Sequence, residues 1–175
     1  MRFKNKGVLW ITGLSGSGKS TIAKMVLKEL RKKKIKAIHL DGDELRNTLS
    51  SISIPNSFKR EQRKNIGLFY SKLSFYIASQ NNIVITSVIA LQKEVLMWNK
   101  KNIPNYNQVF LNFDIEDMIK RDPKKMYKNF FKKKIRDMYG LDMKYYKPRN
   151  SQLEIKSKDN LSKKQITNKI IKSFF

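Results

Sequence analysis

Eight residues near the start of the chain, Gly13-Leu14-Ser15-Gly16-Ser17-Gly18-Lys19-Ser20, meet the pattern G-x-x-x-x-G-K-[ST] in full. Glycines let the backbone wrap closely around a polyphosphate so that its N–H groups point inward. Lys19 is spaced to reach the β- and γ-phosphates, and the Ser20 hydroxyl to coordinate Mg²⁺. The next carboxylates, Asp41 and Asp43, follow an apolar run. In a parallel sheet that places them on the same carboxyl-end rim as the loop. A third apolar run ends Ile85-Thr86-Ser87, without the acid that often holds the metal in phosphate-loop proteins. Some other carboxylate must then hold the metal or the acceptor, and Asp41 and Asp43 are the candidates. Asp43 also precedes Glu44-Leu45-Arg46 and would cap that helix well.

These residues need a strand before the loop and a helix after it, and the pattern supplies both. Val8 to Thr12 reads as a buried strand, and Ile22, Ala23, Val26, Leu27 and Leu30 follow helical spacing up to the basic run Arg31 to Lys34. Ala37 to Leu40 predicts a second strand, Ile83 to Ser87 a third and Val109 to Phe113 a fourth, with a weaker fifth at Leu153 to Ile155. A long helix is expected from Glu61 to Ser79, with Ile66, Phe69, Tyr70, Leu73, Tyr76 and Ile77 on one face. Ser162 and Gln165 form a capping box before a last helix striped by Ile166, Ile170 and Phe174. Strands alternating with helices imply an α/β three-layer fold, a parallel sheet covered on both faces. The basic stretch Lys124 to Lys134 carries Met126, Tyr127, Phe130 and Phe131 at helical spacing and reads as a lid helix.

At 175 residues the chain has the size of one domain, read as spanning 1–175 with a lid at about 122–150. With no cysteine, disulfides and thiolate metal sites are excluded. The first apolar run is too short for a signal peptide or membrane span, which points to a cytoplasmic protein. The net charge of +24 raises nucleic-acid binding, but 30 of the 38 cations are lysine, whereas base readout and bidentate phosphate clamps favour arginine. No guanine-reading Asn/Thr-Lys-x-Asp pattern occurs, which weighs against a GTPase, and motors and helicases need a larger core.

Gly13 to Thr21 joined to Leu40-Asp41-Gly42-Asp43-Glu44-Leu45-Arg46 resembles the adenylylsulfate (APS) kinases, and the likeness continues in Arg121 to Lys128 and Gly140-Leu141-Asp142. The resemblance implies a P-loop nucleotide-kinase fold with a five-stranded parallel sheet. It also implies transfer of the ATP γ-phosphate to the 3′-hydroxyl of a ribose bearing a 5′ anhydride, with ATP and Mg²⁺ as cofactors. Gly13, Leu14, Ser15, Gly16, Ser17, Gly18, Lys19, Ser20, Thr21 and Arg121 would then bind ATP, and Ser20 and Asp41 the metal. Lys19, Asp41 and Asp43 would be catalytic, with Asp43 favoured on the acceptor side. By the same resemblance Arg46 binds the anhydride phosphates, Phe58 stacks on the acceptor base, Arg63 and Asn65 contact the acceptor, and Ser87, Val88 and Ile89 line its pocket. The family usually puts two residues between that arginine and asparagine where this chain has one, so Arg60 rivals Arg63. Lys128, Arg136 and Met138 fall on the lid and are further acceptor-binding candidates.

The chain departs from the family after Ser87, where Val88-Ile89-Ala90-Leu91-Gln92-Lys93 replaces Phe-Ile-Ser-Pro-Tyr-Arg, and at Met138-Tyr139-Gly140, where Phe-Thr-Gly is usual. These changes cluster on the nucleoside pocket and leave the ATP side intact. That pattern is similar to a related branch, the cytidine diphosphoramidate kinases of bacterial capsule modification, since a pyrimidine needs less stacking area than adenine. Adenylylsulfate remains the alternative acceptor. The family often forms homodimers, for which the sequence shows no self-complementary face. Two rivals are a nucleic-acid-binding protein or polynucleotide kinase and a non-catalytic nucleotide switch. The lone His39 reads as structural.

Overall fold

The computed structural model describes residues 3, 6–50 and 60–175. Five strands, β1 (Gly7–Gly13), β2 (Ala37–Asp41), β3 (Ile83–Ser87), β4 (Tyr106–Asn112) and β5 (Leu153–Lys156), form one sheet in the order β2-β3-β1-β4-β5. Every pairing in it is parallel. The helices are α1 (Lys19–Lys32), α2 (Gly42–Ser50), α3 (Arg60–Ser79), α4 (Lys93–Asn102), α5 (Ile115–Arg121), α6 (Met126–Phe131) and α7 (Lys163–Phe174).

Alternation along β1 explains the three layers, because successive strand side chains point to opposite faces. Leu9 and Ile11 pack with Ile22, Val26 and Leu30 of α1 and Ile166, Ile170 and Phe174 of α7. Val8 and Trp10 point the other way, against Tyr70 and Ala78 of α3 and Val95 and Leu96 of α4. Buried on both faces, the central strands carry the near-continuous apolar runs expected of a parallel sheet.

Several expectations shift on contact with the fold. β4 begins three residues before Val109 and ends before Phe113, because Tyr106 to Gln108 already pair with β1. The inner face of α3 is Gly67, Tyr70, Ser71, Ser74 and Ala78, while Phe69 and Tyr76 are 41% and 63% exposed. Small residues face inward there because the helix lies close against the sheet: Ser74 Oγ sits 2.8 Å from Thr86 Oγ1 of β3. The basic lid stretch forms only the six-residue helix α6 rather than one running from Lys124 to Lys134. Both Asp122 carboxylate oxygens take amide protons, at 3.2 Å from Tyr127 and 2.9 Å from Lys128, which sets its start, and left-handed Lys133 (φ 56°) follows its end.

The helix after β2 also begins earlier than expected. Asp41 Oδ1 accepts the Asp43 amide at 3.0 Å, so Asp41, not Asp43, caps α2, whose first residue is Gly42. The C-terminal capping box is present as read: Ser162 Oγ accepts the Gln165 amide and the Gln165 side chain returns to the Ser162 amide.

Candidate active site

The loop between β1 and α1 can take its shape because Gly16 and Gly18 sit at φ 77° and 85°, a region side chains disfavour. Gly18 is also the N-cap of α1 and brings no side chain to bond the first-turn amides. Those amides, with the helix dipole behind them, are available to an anion. Lys19 folds back over the loop and donates from Nζ to the Leu14 carbonyl at 2.8 Å. Burial lowers its pKa from 10.5 to about 8, with Lys124 lowering it further and the charges of Asp43 and Asp41 opposing.

Asp41 is placed by register. It pairs with Ser87 where β2 meets β3, so the two side chains lie together at the carboxyl ends of the strands. Ser87 Oγ donates to Asp41 Oδ2 at 3.1 Å, the Asp43 amide holds Oδ1, and the Ser20 hydroxyl of α1 bonds the same carboxylate. Burial pushes the Asp41 pKa up, but the bonds from Ser20, the Asp43 amide and Ser87 outweigh it and hold the pKa below the usual value. Asp43, the second residue of α2, is exposed and pairs with Lys124 Nζ of the segment between α5 and α6. Lys19, Asp43 and Lys124 thus converge at one place.

A cleft of about 660 Å³ runs past these groups, within the usual range for a small-molecule site. One end is lined by the loop from Ser15 to Thr21, by Arg121 and Phe113, and by Lys163 at the start of α7. The Arg121 guanidinium lies 5.6 Å over the Phe113 ring. The other end is lined by Asp43, Arg46, Arg63, Ser87, Val88, Ile89 and Met138, all read from the sequence as acceptor-side residues. Gly13 and Leu14 are buried behind the loop, and Asp41 reaches the cleft through Ser20.

Other expected residues stand elsewhere. Arg60, Asn65, Lys128 and Arg136 are exposed and do not line the cleft; Arg136 borders a separate hollow with Phe130 and Phe131. Between the rival arginines, Arg63 is the one in the cleft. Its guanidinium stacks 4.8 Å over the Tyr139 ring and donates to the Asp137 carbonyl at 2.7 Å. Phe58 lies outside the described residues. Lys124, Tyr70 and Gln92 also line the cleft, though residue type and spacing do not single them out as site residues. Gln92 Nε2 donates to Tyr139 Oη at 2.6 Å, and Tyr70 Oη to the Gly42 carbonyl at 3.0 Å. Gln92 and Tyr139 were visible only as departures from a family pattern; Lys124 was one cation among many, distinguished only by tertiary contact.

The rim thus carries a phosphate loop, one carboxylate bonded to the serine of that loop and a second carboxylate lining the cleft. The model of the adenylylsulphate kinase family matches residues 5–156. The chain belongs to that family. It is an ATP-using phosphotransferase. It is 33% identical over 144 residues to the cytidine diphosphoramidate kinase of Campylobacter jejuni, covering 82% of each chain. It is 36% identical over 174 residues to the adenylyl-sulfate kinase of Buchnera aphidicola, covering 96% of this chain and 80% of that one. The structure of the Mycobacterium tuberculosis APS kinase CysC in complex with AMPPNP and APS superposes with a TM-score of 0.87 at 28% identity, covering 97% of this chain and 98% of that one. Among the described residues, no helix is long and apolar enough to cross a membrane.

Proposed function

We propose that this kinase transfers the γ-phosphate of ATP to the ribose 3′-hydroxyl of a nucleotide with a 5′ anhydride, acting in the cytoplasm. We favour cytidine diphosphoramidate as the acceptor, which would place the enzyme in the phosphoramidate modification of a bacterial capsule. The observation that carries the reading is the contrast between the two aspartates. Asp41 has both oxygens bonded and a lowered pKa, which makes it a weak base and a good anchor. Asp43 is open to the cleft and electrostatically linked to Lys19. Asp43 would therefore orient the acceptor hydroxyl and draw its proton, while loop amides, Lys19 and Lys124 offset the charge that grows on the transferring phosphoryl group.

The residues present fit Mg²⁺. Ser20 and Asp41 are hard oxygen donors bonded to one another, and no group of three His, Cys, Asp or Glu occurs among the described residues. A site this sparse suits an ion that keeps its waters and shares substrate phosphates. Bound there, the ion would supply charge neutralisation between the β- and γ-phosphates.

The acceptor pocket favours a small base. Val88 stands where APS kinases carry phenylalanine, and Tyr139 is tied down by Gln92 and Arg63. Adenylylsulfate is the second reading, supported by the many relatives named as adenylyl-sulfate kinases. ADP release with magnesium and ATP, comparing the two acceptors, tests both. Cytidine diphosphoramidate should give the higher kcat/KM. A preference for adenylylsulfate overturns the acceptor assignment, and no acceptor-dependent ADP with either overturns the reading.

A further inference from the structure

We infer that His39 is a positioning residue of the phosphoryl-transfer site, holding the Asp41 carboxylate through the Ser87 hydroxyl. The inference rests on the kinase reading and adds a residue to it. Ala37, His39 and Asp41 alternate along β2 onto the face beneath α1, so His39 lies directly behind Asp41. Ser87 Oγ lies 2.9 Å from His39 Nε2 and 3.1 Å from Asp41 Oδ2. All three are shielded: the side chains of His39 and Asp41 are 10% and 9% exposed and Ser87 is 2% exposed. Lys24, one turn along α1 from Ser20, faces the same imidazole.

The proton count along this chain has one solution. Ionised Asp41 only accepts, so the single hydroxyl proton of Ser87 goes to Oδ2. The remaining lone pairs of Ser87 must then meet a donor, which requires Nε2 of His39 to carry a proton. A proton at Nδ1 alone would set two lone pairs against each other at 2.9 Å. His39 therefore fixes the direction of the Ser87 hydroxyl, which fixes the carboxylate plane. That plane decides where Asp41 offers its remaining acceptor capacity, beside the Ser20 hydroxyl. Partners that orient a ligating carboxylate in this way are worth about 10- to 100-fold in metal affinity or activity.

The test compares His39→Leu, which keeps bulk and removes the donor, with His39→Gln, whose amide nitrogen can replace Nε2–H. Calorimetric titration of the intact protein with ATP, with and without magnesium, accompanies steady-state kinetics and a melting curve. His39→Leu should need about tenfold more magnesium for half-maximal turnover and lose about tenfold in affinity for ATP with magnesium. Affinity for ATP without magnesium should stay unchanged. His39→Gln should recover most of both. Combined with Ser87→Ala, His39→Leu should add nothing to the loss from Ser87→Ala alone, since it acts through that hydroxyl.

Wild-type magnesium dependence in His39→Leu overturns the inference. So do equal losses with and without magnesium, failure of His39→Gln to rescue, or additive losses in the double variant, each of which makes His39 merely structural. If wild-type enzyme phosphorylates neither acceptor, it is the kinase reading that fails; the magnesium effect on ATP binding still decides the role of His39.

Discussion

Lys19 is partly buried over the phosphate loop, and that burial brings its pKa from 10.5 to about 8. Below pH 8 both folded and unfolded chains carry the proton, and burying the charge destabilises the fold by its full amount. Between about 8 and 10.5 the unfolded chain binds more protons, so this contribution makes stability rise with pH. The gap corresponds to on the order of 3 kcal/mol. Lys19→Met should therefore melt higher than wild type near neutral pH, with the advantage shrinking by about pH 10, while ADP release disappears. A variant that melts lower near neutral pH would remove the buried-charge account. Asp43, exposed and outside the core, should by contrast contribute little stability. Asp43→Asn should cut kcat by about 100-fold or more while ATP binding, followed calorimetrically, stays within about twofold. A loss confined to ATP affinity would move Asp43 off the acceptor side.

Helices α5 and α6 flank Lys124, which pairs with Asp43 at the cleft. The Asp122 carboxylate accepts two first-turn amides of α6, Tyr127 is buried with its hydroxyl on the Ser15 carbonyl at 3.0 Å, and together they hold the segment from which Lys124 reaches Asp43. The lid segment is thus anchored to the phosphate loop itself. Lys124→Met should lower kcat by about 100-fold, the usual scale for losing one charge-stabilising group, with little change in melting temperature because the lysine is exposed. An unchanged kcat would show that the ion pair with Asp43 has no part in turnover. Sequence periodicity located this segment but overestimated its helix: it counted apolar spacing and could not see that Asp122 starts the helix late and that left-handed Lys133 follows close on its end.

Across the whole molecule, the position of the phosphate loop depends on α1 being pressed onto the sheet by α7. Ile170 is fully buried in that core and does not line the cleft. Ile170→Ala should cost about 2–5 kcal/mol in urea unfolding while kcat of the folded enzyme stays near wild type. A large fall in kcat at unchanged stability would mean that α7 does more than support α1. The charge of +24 is spread over mostly exposed lysines and takes no part in this packing. It bears on association with polyanions, not on the fold.

What the sequence determined by itself is local or periodic: the phosphate loop, the strand before it and helix after it, the alternation that makes a parallel sheet, and the C-terminal capping box. Each depends on neighbours within a few residues, so residue types at fixed spacing suffice. Only the tertiary structure decided which aspartate is anchored and which is open, that Arg63 rather than Arg60 reaches the cleft, and that His39 stands behind Asp41. Those outcomes depend on register between β2 and β3 and on helices crossing from distant parts of the chain. Asp41 and Ser87 are adjacent only because two parallel strands pair in one register out of several, a choice made by burial of whole faces rather than by any local signal.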